Sequence, residues 1–190
     1  MSVVAFNHTL LGPFLGVQVS PLVTQFRSIP YATYPERFRQ SVIKTSYGQD
    51  ERNFTEFGFS CPQLVNDNPL VNPSGGPIPG ELPYRSDEHK CLIVTVTVPN
   101  TALSQPNSYG TSKKSLPVMA YIHGGGLVEG NAALGGQRDQ KYNVDLSVQD
   151  KQPIISVNIR YVKHFNPQIL RLSLADIASI GLASLDHRIS

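Results

Sequence analysis

The chain has no tryptophan and two cysteines, and no apolar run approaches the roughly 20 residues that a membrane-spanning helix needs. Two thiols cannot by themselves complete a structural zinc site. No charge of one sign dominates either. The 16 basic and 14 acidic residues are scattered, Lys113-Lys114 is the one adjacent basic pair, and no aromatic residues alternate with it. A nucleic-acid partner calls for a basic stripe along the phosphates, so none is expected. Residues Met1 to Leu15 carry no Lys or Arg ahead of an apolar stretch, which makes a poor secretory leader. Either the true start lies upstream or the protein stays inside the cell, and the reading leans to the latter.

Hydrophobic residues, at 40% of 190, suffice for one domain with a core, and 15 Gly with 15 Pro imply short elements joined by many turns. Residues 1–60 read as short strands and turns. Leu92 to Val98 alternates Val94, Val96 and Val98 against Thr95 and Thr97, the period of a strand. Pro117 to Ile122 and Pro153 to Asn158 are short apolar runs that read as strands buried on both faces. The 30 residues from 123 to 152 give room for a crossover between parallel neighbours, which points to an α/β sheet. Residues 62–90 are rich in Pro and Gly and read as a long surface loop. Leu174, Ile177, Ala178, Gly181, Leu182 and Leu185 follow helical spacing. Counting favours buried thiols for Cys61 and Cys91; the other reading is one disulfide closing the loop between them.

The segment richest in chemistry is Tyr121-Ile122-His123-Gly124-Gly125-Gly126-Leu127-Val128-Glu129-Gly130. Three consecutive glycines bare the backbone, so successive N–H groups can approach a negative oxygen. A dinucleotide fingerprint fails because Glu129 stands where its last glycine belongs. A P-loop fails because Asn131-Ala132 replaces its Lys and hydroxyl residue. What remains is a His-Gly-Gly-Gly oxyanion loop following a strand.

Several further motifs stand in order along the chain. Phe26-Arg27-Ser28-Ile29-Pro30-Tyr31-Ala32 with Arg37-Phe38, Cys61-Pro62-Gln63, Glu88-His89-Lys90-Cys91-Leu92, Leu116 to Gly126 and Val157-Asn158-Ile159-Arg160 together resemble the type-B carboxylesterase and lipase family, the cholinesterase-like group. Ser28 replaces a glycine of that pattern, and the acidic partner before Cys91 is altered. The resemblance covers residues 9–160 and is to the N-terminal part of the family only. It implies an incomplete N-terminal portion of an α/β-hydrolase fold over residues 1–190, with a mixed, mostly parallel sheet and the glycine loop at the C-terminal tip of a central parallel strand. It further implies that the amides of Gly125 and Gly126 form two arms of an oxyanion hole, with His123 and Gly124 supporting the loop. Cys61 and Cys91 stand where the family forms its first disulfide. The substrate would be a small carboxylic ester, with no cofactor and no metal; oligomeric state stays open.

The catalytic serine of such enzymes sits in Gly-x-Ser-x-Gly. Each Ser-x-Gly here, at Ser46, Ser74, Ser108 and Ser179, is preceded two positions earlier by Lys44, Asn72, Pro106 or Ile177, never by Gly. No catalytic residue is therefore assigned in this chain. His8, His89, His164 and His187 have no catalytic context. The expectation is an esterase truncated before its nucleophile and inactive alone, with Pro117 to Ile122 left at an unpaired sheet edge. Two alternatives stay open: a binding or adhesion protein that keeps the esterase fold, and an anion- or nucleotide-binding domain built on Gly124 to Gly126.

Overall fold

The computed structural model describes residues 1–8, 11–36, 39–63, 85–104, 116–124, 130 and 139–161. A six-stranded sheet runs through them in the order β1-β2-β3-β6-β8-β7. Its strands are β1 (Ser2–His8), β2 (Gly12–Gln18), β3 (Val23–Pro30), β6 (Ile93–Pro99), β7 (Val118–Ile122) and β8 (Ile155–Ile159). A two-stranded ribbon joins β4 (Ala32–Thr33) to β5 (Val42–Ile43). Two helices are described, α1 (Asn100–Ser104) and α2 (Lys141–Gln149), and α2 lies in the connection from β7 to β8. Neither is long and apolar enough to cross a membrane.

The fold is α/β with a mixed sheet, but the share of parallel pairing differs from the sequence expectation. β1 to β2, β2 to β3, β3 to β6 and β6 to β8 are antiparallel; β7 to β8 is the parallel pair among the described strands. The physical reason lies in the connections. Short links after β1 and β2 can only reverse the chain, whereas the connection through α2 is long enough to bring it back in the same direction.

Burial follows position in the sheet. All of β6 and β8 is buried, because each has neighbours on both sides and cover on both faces. The Thr95 and Thr97 side chains are therefore as buried as the valines between them. Strand β7 contradicts the expectation of burial on both faces: it is the last strand in the order, and Val118, Ala120 and Ile122 are exposed while Met119 and Tyr121 are half-buried. Nor is β7 the central strand that the resemblance implies: among the described residues it lies at the sheet edge, as expected for Pro117 to Ile122 without the strand beside it, and an edge strand can carry the same apolar residues with one face open.

The core gathers Phe14, Phe26, Ile29, Tyr31, Tyr47, Phe54, Leu92, Val94, Val96, Ile155, Val157 and Ile159. Phe14 meets Phe54 edge-on at 4.9 Å and Tyr47 at 5.5 Å, a geometry that aromatic quadrupoles favour. The two buried phenols have acceptors. Tyr31 donates to the Arg160 carbonyl at 2.9 Å and Tyr47 to the Pro30 carbonyl at 2.7 Å. Desolvation pushes both phenol pKa values up, that of Tyr47 to about 12.

The register of β3 against β6 shifts between Phe26 and Ile29, and Ser28 sits there at φ 60°. That left-handed conformation suits glycine, which the family pattern has at this position. Ser28 is held in it by donating Oγ–H to the Glu56 carbonyl at 2.9 Å.

His8, at the end of β1, is buried against Phe6 and Phe14. Its Nδ1 accepts the Leu11 N–H at 3.1 Å, a bond only the neutral ring can make. Desolvation lowers its pKa. As pH falls below about 6.5, the unfolded chain binds a proton that the folded chain refuses. The stability contributed by neutral His8 is thus complete above that value and is lost as pH falls towards the folded pKa. Urea unfolding from about pH 7 to about pH 5 is expected to show a steeper loss of stability for the native chain than for His8→Phe, by at most about 1.4 kcal/mol per pH unit. Equal slopes would remove His8 from this role.

Candidate functional site

Strand β7 ends at Ile122 and delivers His123 and Gly124 at its C-terminal tip. The parallel register pairs Ile122 with Ile159, so the chain leaving β8 runs beside the chain leaving β7. Tyr161 takes advantage of this. Its ring stacks on the His123 imidazole, with centroids 4.6 Å apart and planes 24° apart, and its hydroxyl donates to the His123 carbonyl at 2.8 Å. Burial raises the Tyr161 pKa, so the phenol stays a neutral donor.

His123 is buried, at 3% exposure, which sets it apart from a general base facing substrate. Its Nδ1 lies 3.0 Å from the Gly124 carbonyl oxygen. A carbonyl only accepts, so this contact places a proton on Nδ1. Gly124 itself is exposed, and a Cβ built on it would meet no atom within 4 Å. Among the described residues, nothing in the packing demands a glycine there. Gly124→Ala is accordingly expected to change unfolding free energy by no more than about 0.5 kcal/mol, measured by urea denaturation. A larger loss would show that the open space is needed by the fold itself.

Gly125 and Gly126, the residues assigned to the oxyanion hole from sequence, lie outside the described residues, as do His164, His187 and the helix-like run from Leu174 to Leu185. The far side of the glycine segment is described at Gly130. Its φ of 123° suits glycine, and its N–H donates to the Gln63 side-chain oxygen at 2.6 Å. Gln63 follows Cys61 by two residues. Cys61 is bonded to Cys91, with Cα atoms 4.9 Å apart, and Cys91 is wholly buried. Of the long loop between these cysteines, residues 64–84 lie outside the described set.

Arg160, 1% exposed, directly follows β8. Its N–H donates to the Ile93 carbonyl at 2.9 Å and its guanidinium to the Phe59 carbonyl, so it ties the strand end to the segment that precedes Cys61. His89 is exposed and 3.6 Å from Glu88. Among the described residues, no group of three or more His, Cys, Asp or Glu side chains could hold a metal ion. Sequence reading named His123 and Gly124 but missed the roles of Gln63 and Tyr161. Gln63 stood in a noted motif without a contact attached, and Tyr161 had no signal at all.

The Carboxylesterase family model matches residues 3–161, most of the chain. The chain belongs to the carboxylesterase family. Among curated relatives of this carboxylesterase-family chain, Lipase 1 of Yarrowia lipolytica is 27% identical over 155 residues, covering 82% of this chain and 28% of that protein. Secreted lipase 5 of Gibberella zeae is 28% identical over 163 residues, covering 80% of this chain and 28% of that protein. Among solved structures, a PNB esterase superposes with a TM-score of 0.58 at 27% identity, over 83% of this chain and 27% of that one. The carboxylesterase-family chain thus spans just over a quarter of the length of each of these proteins.

Proposed function

We propose that this chain builds the oxyanion side of a serine carboxylic ester hydrolase, as the N-terminal part of one α/β-hydrolase domain. The observation that carries the reading is the His123-Gly124 turn at the C-terminal tip of β7, open above Gly124 and joined to a glycine run. In acyl transfer a serine oxygen attacks the ester carbonyl, and the carbonyl oxygen becomes an oxyanion. Backbone amides aimed at that oxygen each lower the barrier by about 3–4 kcal/mol. The amides proposed for this are those of Gly125 and Gly126. His123 serves them indirectly. Its imidazole holds the Gly124 carbonyl at 3.0 Å, the last described peptide group before them.

The nucleophile is proposed to come from a Gly-x-Ser-x-Gly elbow further along a longer polypeptide, since this sequence contains none. Without a serine and its base there is no acyl-enzyme route. The substrate class is a small carboxylic ester; the pockets for its acyl and alcohol groups belong to that longer polypeptide.

The test is p-nitrophenyl ester hydrolysis by the purified 190-residue chain and by a polypeptide continued through such an elbow. Turnover is expected only from the longer form, and there Gly124→Ala, harmless to the fold, is expected to lower kcat/KM about a hundredfold by displacing the acyl group. Hydrolysis by the short chain would refute the assignment of the nucleophile, and an inactive longer form would refute the esterase reading.

A further inference from the structure

The glycine segment is held at both ends by side chains from elsewhere in the chain. At its start, the Tyr161 hydroxyl donates to the His123 carbonyl at 2.8 Å while its ring lies flat on the His123 imidazole. The same imidazole takes the next carbonyl, that of Gly124, at 3.0 Å. Two successive peptide units are thus oriented from one stacked pair. At the far end, the Gln63 amide oxygen accepts the Gly130 N–H at 2.6 Å. Gly130 sits at φ 123°, a conformation glycine adopts freely, and the bond fixes which way its N–H points. Gln63 is placed in turn by the Cys61–Cys91 bond two residues before it.

We infer that Tyr161 and Gln63 are positioning residues that clamp the two ends of the oxyanion loop. They touch neither substrate nor nucleophile. Their effect is to remove rotational freedom from the His123–Gly124 peptide and from Gly130, the described ends of the loop, before substrate arrives. Preorganised donors are worth more than donors that must turn during the reaction. The catalytic value of the clamp rests on the esterase reading; its existence does not.

The two ends have separate signatures. In the full 190-residue chain, labelled with 15N and 13C, Gln63→Met keeps the side-chain length and removes the acceptor, whereas Gln63→Glu keeps an acceptor. Gln63→Met is expected to shift the Gly130 amide proton upfield and speed its exchange about threefold to tenfold, the range one hydrogen bond confers. Gln63→Glu is expected to restore both. Tyr161→Phe keeps the ring and loses the hydroxyl. It is expected to move the His123 carbonyl carbon resonance while leaving the ring-current shift on the His123 imidazole, which Tyr161→Leu abolishes as well.

In the longer polypeptide, Gln63→Met and Tyr161→Phe are expected to lower kcat for a p-nitrophenyl ester at unchanged KM, with Gln63→Glu recovering it. Unmoved Gly130 and His123 signals in Gln63→Met and Tyr161→Phe would overturn the clamp, whatever the enzyme does. Moved signals in a longer polypeptide that hydrolyses nothing would support the clamp and sink the esterase reading. Moved signals with kcat unchanged in an active enzyme would overturn the positioning role. The conservative variants Gln63→Glu and Tyr161→Phe keep the comparison decisive should Tyr161→Leu fail to fold.

Discussion

Replacing Cys61 and Cys91 together by alanine is expected to lower the unfolding free energy by about 3–4 kcal/mol. The bond joins residues 30 apart in sequence. In the chain-entropy model it restricts the unfolded chain by the closure entropy of a loop of that size, and the native state loses little in return. Cys91 is wholly buried beside Leu92 and the start of β6, so alanine is the better replacement: serine would add a buried hydroxyl in need of a partner. The measurement is guanidinium unfolding of the native chain and the double variant, each with and without dithiothreitol. Reductant is expected to bring the native chain down to the midpoint of the variant and to leave the variant where it was. A native chain insensitive to reductant would show that the bond contributes nothing in solution. The consequence reaches the site, because Gln63 loses its anchor when Cys61 is released. The Gly130 amide is therefore expected to exchange faster in the reduced chain, under conditions where the β6 amides remain protected.

What the sequence revealed depended on how local the cause was. Strands β6 and β8 were legible because β-branched residues recur over five to seven positions between turn residues. The crossover from β7 to β8 followed from chain length alone. Strand β7 shows the limit. Val118-Met119-Ala120-Tyr121-Ile122 has the composition of a buried strand, yet its burial depends on which strands lie beside it, and no local pattern encodes that. The antiparallel half was harder still. β1 to β3 alternate weakly, and their pairing is fixed by two reversals whose marks in the sequence are Gly12-Pro13 and Ser20-Pro21. Ser28 was noticed as a departure from a family pattern; only the bulge explains why that position favours glycine.

At the site, His123 and Gly124 were readable because three adjacent glycines have few other uses after a strand. The partners that hold them were not. Tyr161 lies 38 residues from His123, and Gln63 lies 67 from Gly130. Contacts at such separations are created by the sheet and the disulfide, and neither residue type is unusual where it stands.

Asp139→Ala is expected to cost about 3–5 kcal/mol, the usual result of stripping the partner from a buried charge. Asp139 lies two residues before Lys141, the first residue of α2, and is 8% exposed. Its Oδ1 accepts from Gln25 Nε2 at 2.6 Å and from the Lys141 N–H at 3.0 Å. Gln25, on β3, also donates to Thr97 Oγ1 on β6 at 3.3 Å and accepts from Arg27 Nε at 3.0 Å. One carboxylate therefore joins a helix start to two central strands, pairs with Lys141 Nζ at 3.5 Å, and acts through space on the Arg27 guanidinium, which is buried over the Phe57 ring. Desolvation lowers the Arg27 pKa, and the charges of Asp139 and then Glu56 oppose that drop. Two controls separate charge from shape. Asp139→Asn keeps an acceptor for Gln25 and Lys141 and removes only the charge, so its loss should be clearly smaller than that of alanine. Adding Arg27→Met to Asp139→Ala removes the stranded charge, so the double variant should be more stable than Asp139→Ala alone. Additive losses in that cycle, read from urea midpoints at constant m, would show that Arg27 and Asp139 act independently and that the carboxylate acts through Gln25 and α2 rather than through the Arg27 charge.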